Sequence, residues 1–350
     1  MKKSLLAVAV AAALPAAAFA QTNVQLYGIA DAGIAVIDRG SNLSNSFRVE
    51  SGMQSTSRWG IRGTEDLGGG LNAVFNLENG YSIDTGASDA SSAGLFQRRA
   101  VVGLSGGFGT VLLGRDYTAG FTAWGVTDIM GYGLFGNQLT YTASAGGITT
   151  RGQNGIYYTS PVFGGLTVRA FYQTGERETD PKSLGNGMGA SVVYMGGPLR
   201  LQGFYQQFKV SDGTPTGTGN QKEYGLGGGF DFGGFRVVAA YGEADPIGAN
   251  NKVKSFSVGA GIKVGVGEIL VQGIQIQRDI ASGTKPKGTA LGLAYVHPLS
   301  KRTNLYATIG QTRNNSAGNF VLRGSGAPVG APGAVGDDPK GLALGIRHTF

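Results

Sequence analysis

Catalytic chemistry has few residues to work with in this chain of 350 residues, which contains no Cys and only two His, His297 and His348. Hydrolysis by a Ser–His–Asp arrangement needs a histidine within hydrogen-bond reach of the nucleophile. His297 precedes Pro298 at a short turn, and His348 lies on the apolar face of the last alternating segment, so neither falls where the long polar segments meet. Zinc sites fail on the same shortage of ligands. Asp84 and Asp89 could hold Ca²⁺ only weakly, and a solvated loop is the better account of that pair. Gly259-Ala260-Gly261 is not a phosphate loop, because no helix follows to receive a phosphate. The basic residues are dispersed over the chain, so nucleic acid finds no patch to bind. The expectation is no catalytic residue, no metal and no cofactor.

Arginines remain. If Trp59 and Ile61 lie on one face of an extended segment, Arg58 and Arg62 lie on the other. By the same rule Arg151 shares a face with Gln153 and opposes Ile156. Arg98 and Arg99 are neighbours that face opposite ways, in a segment whose apolar residues give no clear phase. Guanidiniums gathered on one water-facing wall would favour anions, as rings of Arg or Lys do in anion pores. The competing explanation is structural: these arginines would pair with Glu65, Glu78 or Asp31.

The elements that must position these residues are strands. There are 63 Gly, more than one residue in six, and each Gly in a helix interior costs about 1 kcal/mol relative to Ala. A two-residue period recurs instead. Leu342, Leu344, Ile346, His348 and Phe350 alternate with Ala343, Gly345, Arg347 and Thr349; Phe256, Val258, Ala260, Ile262 and Val264 alternate with small or polar neighbours. Leu166–Gln173 and Glu223–Phe232 repeat the pattern. Short Gly- or Pro-marked turns alternate with longer polar segments near 38–46, 83–95, 117–150, 175–187, 209–221, 243–253, 279–287 and 313–340. About seven turns and about eight loops predict about sixteen strands. The Gly- and Pro-rich segment 313–340 reads as a surface loop.

At the N-terminus Lys2 and Lys3 precede an apolar run and Ala18-Phe19-Ala20, the layout of a secretory signal peptide with cleavage after Ala20. Residues 1–20 are therefore expected to be a signal peptide and 21–350 one domain. Loss of Lys2 and Lys3 leaves 27 basic against 22 acidic residues, a net charge of +5. No later run reaches the length of a transmembrane helix. An uncovered sheet of about sixteen strands exposes its edges unless it closes. Closure in an outer membrane turns the apolar face to lipid and the polar face to water. The expected fold is all-β, a transmembrane antiparallel β-barrel. Neutral mean hydropathy, −0.02, agrees with an apolar half turned outward.

Particular segments carry a resemblance. They are Val24-Gln25-Leu26-Tyr27-Gly28, Ser57-Arg58-Trp59-Gly60-Ile61-Arg62-Gly63, Thr64-Glu65-Asp66-Leu67-Gly68-Gly69-Gly70 and Arg98-Arg99-Ala100-Val101-Val102-Gly103-Leu104. Phe108–Arg115, Asn154–Pro161 and the ending Gly345–Phe350 continue the series. The chain resembles Gram-negative general diffusion porins of the sixteen-stranded, trimeric β-proteobacterial type. The resemblance implies a homotrimer in the outer membrane, in contact with its lipid and lipopolysaccharide. It implies a third loop, here Tyr117–Thr150, folded into the barrel, with Asp116 just before it and Asp128 as its only acidic residue. It implies a basic cluster at Arg58, Arg98 and Arg151 facing that loop, and alternation adds Arg62 to the same basic wall. Ile346, His348 and Phe350 would belong to a terminal signal read by the β-barrel assembly machinery. The function so implied is a passive, weakly anion-preferring channel for ions and small hydrophilic solutes, not an enzyme. The alternative is a substrate-specific channel for phosphate or organic acids.

Overall fold

A computed structural model describes residues 23–40, 46–88, 94–144, 147–211, 213–214, 217–247, 251–325 and 328–350. The expected signal peptide 1–20, its cleavage site at Ala20, and Asp89 lie outside the described residues.

Among the described residues one antiparallel sheet of sixteen strands closes on itself. The first strand, β1 (Asn23–Asp38), pairs along one half with Arg58–Gly68 and along the other with Ser46–Ser51. Those two segments together form β2. The wall continues with β3 (Leu71–Gly80), β4 (Arg99–Gly106), β5 (Gly109–Tyr117), β6 (Arg151–Thr159), β7 (Leu166–Gln173) and β8 (Gly187–Gly196). It is completed by β9 (Leu199–Ser211), β10 (Thr218–Asp231), β11 (Phe235–Asp245), β12 (Val253–Val264), β13 (Gly267–Arg278), β14 (Lys287–Pro298), β15 (Thr303–Asn314) and β16 (Lys340–Thr349). Pairing of β16 with β1, from Ile29↔Thr349 to Asp38↔Lys340, shuts the barrel and leaves no free edge.

The period-two reading sets the two faces. Leu26, Leu113, Leu226, Phe256, Leu344 and Phe350 are exposed on the outside, where lipid meets them. Ser255, Ser257, Gln272, Thr308 and Gln206 are buried on the inner face. Tight turns close one end of the barrel. Gly68, Gly69 and Gly70 between β2 and β3 all have positive φ, a run that side chains with a Cβ would not adopt. Short turns mark the periplasmic end of such barrels and long loops the outer end.

The longest connection leaves β5 at Tyr117 and crosses the inside of the barrel. It holds two short helices that alternation did not reveal, α1 (Ala119–Trp124) and α2 (Leu139–Ser144), with a 3₁₀ turn at Gly125–Thr127. Thr118 caps α1, its Oγ1 accepting from Phe121 N at 3.2 Å, and pins the loop's neck by donating to Thr149 O at 2.7 Å. Trp124, Ile129, Leu134, Phe135 and Tyr141 are buried against the wall from β9 to β15. Backbone approach is close enough that a Cβ on Gly292 of β14 would sit 1.7 Å from Phe135 O.

One expectation needs correcting. The segment 313–340 is not a plain surface loop. Phe320 and Leu322 are 3% and 1% exposed, and Leu322 packs in one cluster with Met53, Leu134 and Phe135. The Phe320-Val321-Leu322 triplet is the cause: its two outer apolar side chains, inside a Gly- and Pro-rich stretch, gain more by burial than by solvation.

Candidate functional site

Inside the barrel the crossing loop faces the middle of β2 and the ends of β3, β5 and β6 across a space of about 370 Å³. Arg98 lies one residue before β4, so the pleat does not direct it. Its Nε donates to Glu78 Oε1 at 2.8 Å and its Nη2 to Tyr117 Oη at 2.8 Å. Arg151, the first residue of β6, donates from Nη2 to the same Tyr117 oxygen at 3.0 Å and from Nε to Arg98 O at 3.0 Å. Its guanidinium also lies 4.5 Å from the centre of the Tyr117 ring, a cation–π contact. Arg58 stands 3.8 Å from Glu78 Oε1. Three guanidiniums thus gather around one carboxylate and one phenol, leaving an excess of positive charge.

The rest of the rim is neutral or basic. Tyr117, Phe121 and Tyr132 stack in sequence, with centroids 5.4 and 4.5 Å apart. Arg323, carried inward by the segment after β15, lines the same space of about 370 Å³, and Asn137 of the crossing loop holds its backbone oxygen at 2.9 Å. Nothing in the sequence around Arg323 marks it, since its neighbours have no periodicity to phase it.

The remaining expected site residues fall elsewhere. Asp128 does not face the arginines. It is buried at the wall, accepting from Met130 N, Tyr132 N and Gln138 N, and from Gln272 Nε2 of β13 at 2.8 Å. Burial pushes its carboxyl up from the ordinary value, against the pull of those hydrogen bonds. The physical reason for its position is packing: the loop's only acid satisfies the backbone of the turn that docks it. Asp116 is likewise engaged, taking Arg99 Nε and Nη2 at 2.8 Å each. Arg62 stands apart, four residues along β2 from Arg58, hydrogen-bonded to Gln25 and 4.9 Å from the Tyr27 ring centre.

The faces of Arg98 and Arg151 also differ from simple alternation. Both Arg98 and Arg99 reach inward, Arg99 by the pleat it shares with buried Val101 and Arg98 from the turn before it. Between β5 and β6, Gly114 pairs with Gly155 but Asp116 with Gly152. One extra residue in β6, with Asn154 at φ 52°, breaks the phase linking Arg151 to Gln153 and Ile156. The pairing with Glu78 shows that the structural explanation held for part of the cluster, whereas Glu65 and Asp31 take no arginine; Asp31 instead accepts from Tyr306 Oη at 2.6 Å and Ser55 N at 2.6 Å. At the last strand, Ile346, His348 and Phe350 are exposed on the outer face, with His348 Nδ1 2.9 Å from Thr303 Oγ1. His297 lies 3.1 Å from Tyr295 Oη through its Nδ1.

A closed sixteen-stranded barrel, narrowed from within by a loop facing a basic wall, defines a water-filled diffusion channel. The model of the Gram-negative porin family matches residues 7–317, and the chain belongs to that family. It is 36% identical over the full length of both chains to outer membrane porin protein 32 of Delftia acidovorans. It is 32% identical, again end to end, to an outer membrane porin protein of Bordetella pertussis. Among solved structures it is similar to an anion-selective porin from Comamonas acidovorans, at TM-score 0.79 and 32% identity, covering 94% of this chain and all of the other. The protein is a passive channel of the Gram-negative outer membrane.

Proposed function

We propose that this channel passes small hydrophilic solutes with a preference for anions, selected where Arg58, Arg98 and Arg151 face the crossing loop. One observation carries the reading: Arg58 and Arg98 share the single carboxylate of Glu78, Arg151 beside them is held by Tyr117 Oη and Arg98 O instead of a carboxylate, and both acids expected to oppose them are engaged elsewhere. An anion at the rim meets uncompensated positive charge on the wall and no free carboxylate among the described rim residues of the loop. The anion selectivity named for the Comamonas acidovorans porin supports the same reading. The chemistry is passage alone, without catalysis.

The reading extends to biogenesis. Residues 1–20 act as a cleaved leader ending at Ala20, residues 21–350 form one barrel, and three copies assemble in contact with lipid and lipopolysaccharide. Ile346, His348 and Phe350 serve as the terminal signal for the assembly machinery. Zero-current potentials across a planar bilayer in a KCl gradient test the selectivity. The sign expected is that of chloride preference, and a cation-selective potential overturns it. Cross-linking of detergent-extracted protein reads the trimer, and N-terminal sequencing reads the cleavage site.

A further inference from the structure

Below the rim the lumen holds a second basic space, separated from the first by Tyr117. Arg99, Thr110, Leu112, Asp116, Tyr157 and Arg169 line it around about 230 Å³, nearer the short-turn end of the barrel. Tyr117 borders both spaces, so a solute passing round its ring leaves one and enters the other. Within the lower space Asp116 has both carboxylate oxygens engaged by Arg99. Arg169 of β7 is different. Its one hydrogen bond is from Nη1 to Thr122 Oγ1 of α1 at 3.3 Å, and among the described residues no carboxylate lies within salt-bridge distance of it. With Arg99, Arg169 and Asp116 counted together, the space carries one net positive charge.

We propose that Arg169 forms a second anion subsite, on the periplasmic side of the constriction, that receives small inorganic or carboxylate anions after they pass the arginine cluster. This rests on the anion-preferring reading above. The physical case is that conduction needs sites that bind well enough to admit an ion and weakly enough to release it. A lone deep site would hold an anion, whereas a second guanidinium beyond Tyr117 offers the next station. Arg169 is suited to that task because its fork presents N–H groups beyond the one held by Thr122. Thr122 lies on the crossing loop, so the loop itself sets where the lower subsite stands relative to the rim.

The test is single-channel recording of the purified full-length porin with chloride as the anion. Arg169→Gln is expected to lower conductance about two-fold at 0.1 M KCl, with the loss fading at 1 M as the screening length falls from about 10 Å to about 3 Å. The loss is expected to be larger when chloride enters from the periplasmic side. Thr122→Val removes the same hydrogen bond but keeps the charge, and is expected to conduct as the parent does. If Arg169→Gln conducts like the parent at both salt concentrations, the subsite is refuted. If Thr122→Val reproduces the loss, Arg169 acts by holding the loop and the subsite is again refuted. Arg151→Gln run alongside separates the two readings: an unchanged zero-current potential there removes the rim cluster, whereas the Arg169 result stands on conductance and its sidedness.

Discussion

On one side of the crossing loop, Asp128 and Glu223 accept only from neutral donors, whereas on the other side Glu78 is shared between two guanidiniums. Glu223 takes Thr149 N and Oγ1, Gln206 Nε2 and Gln221 Nε2; Asp128 takes three backbone N–H groups and Gln272. Both acids are buried and act as fasteners for the loop. A buried carboxylate surrounded by N–H donors needs no cation beside it, because those donors stabilise its charge directly. The opposite wall reverses the proportion, with more cations than carboxylates and a water-filled space in front of them. The loop's negative charge is used in the loop's own attachment, and this leaves the wall's positive charge to face solute.

That contrast can be broken at several points. The largest effect is expected from Arg58→Gln, Arg98→Gln and Arg151→Gln combined. A unit charge at about 4 Å contributes about 1 kcal/mol even in bulk water, so losing three should shift the anion-to-cation permeability ratio by roughly tenfold or more. Reversal potentials in a KCl gradient measure it, and an unchanged potential would remove the wall from the argument. Next comes the fastened side. In Gly292→Val the new side chain meets Phe135 O, so the loop must leave the wall. Single-channel conductance should rise while anion preference falls, and a parent-like conductance would show that the loop docks without this contact.

Asp128→Asn ranks third. It sets an amide N–H₂ against donors that now meet a carboxylate, at about 1–3 kcal/mol for each donor left unmet. Frequent current interruptions and a lower thermal unfolding midpoint are expected, with little change in the reversal potential. A smaller effect is expected from Tyr117→Phe, which removes the oxygen that Arg98 and Arg151 share but keeps the ring under Arg151. Hydrogen bonds to charged groups contribute about 1.5–3 kcal/mol, part of which solvent in the pore restores. A permeability ratio moved by a few-fold fits; a loss as large as the triple variant's would make Tyr117 the main determinant. Arg62→Gln should change selectivity least, since Arg62 stands with Gln25 and Tyr27 away from the rim. A strong effect there would extend the selective wall down β2.

Much of the barrel was legible because a strand's pleat repeats every two residues over long distances. Leu342–Phe350 and Ser255–Val264 have the faces that alternation assigned them, and turns such as Gly68-Gly69-Gly70 mark themselves by composition. Arg58 also followed its strand. Legibility ended where the pleat ends. Arg98 sits in a turn, Arg151 stands beyond a bulge at Asn154, and Asp128 and Arg323 lie in loops whose paths no local period constrains.

The residue order by itself determined the strand count, which face meets lipid and which meets water, and that a loop of over thirty residues interrupts the wall at its third outer connection. Those properties depend on neighbours within a few positions. Only the tertiary structure decided that Arg98, Arg151 and Arg58 converge near Tyr117, that Asp128 binds Gln272 and not an arginine, and that Arg323 enters the constriction. The reason is physical: each of these contacts joins segments far apart in sequence. Their meeting is set by closure of the barrel and by burial of Phe135, Leu322 and Trp124 against its inner wall.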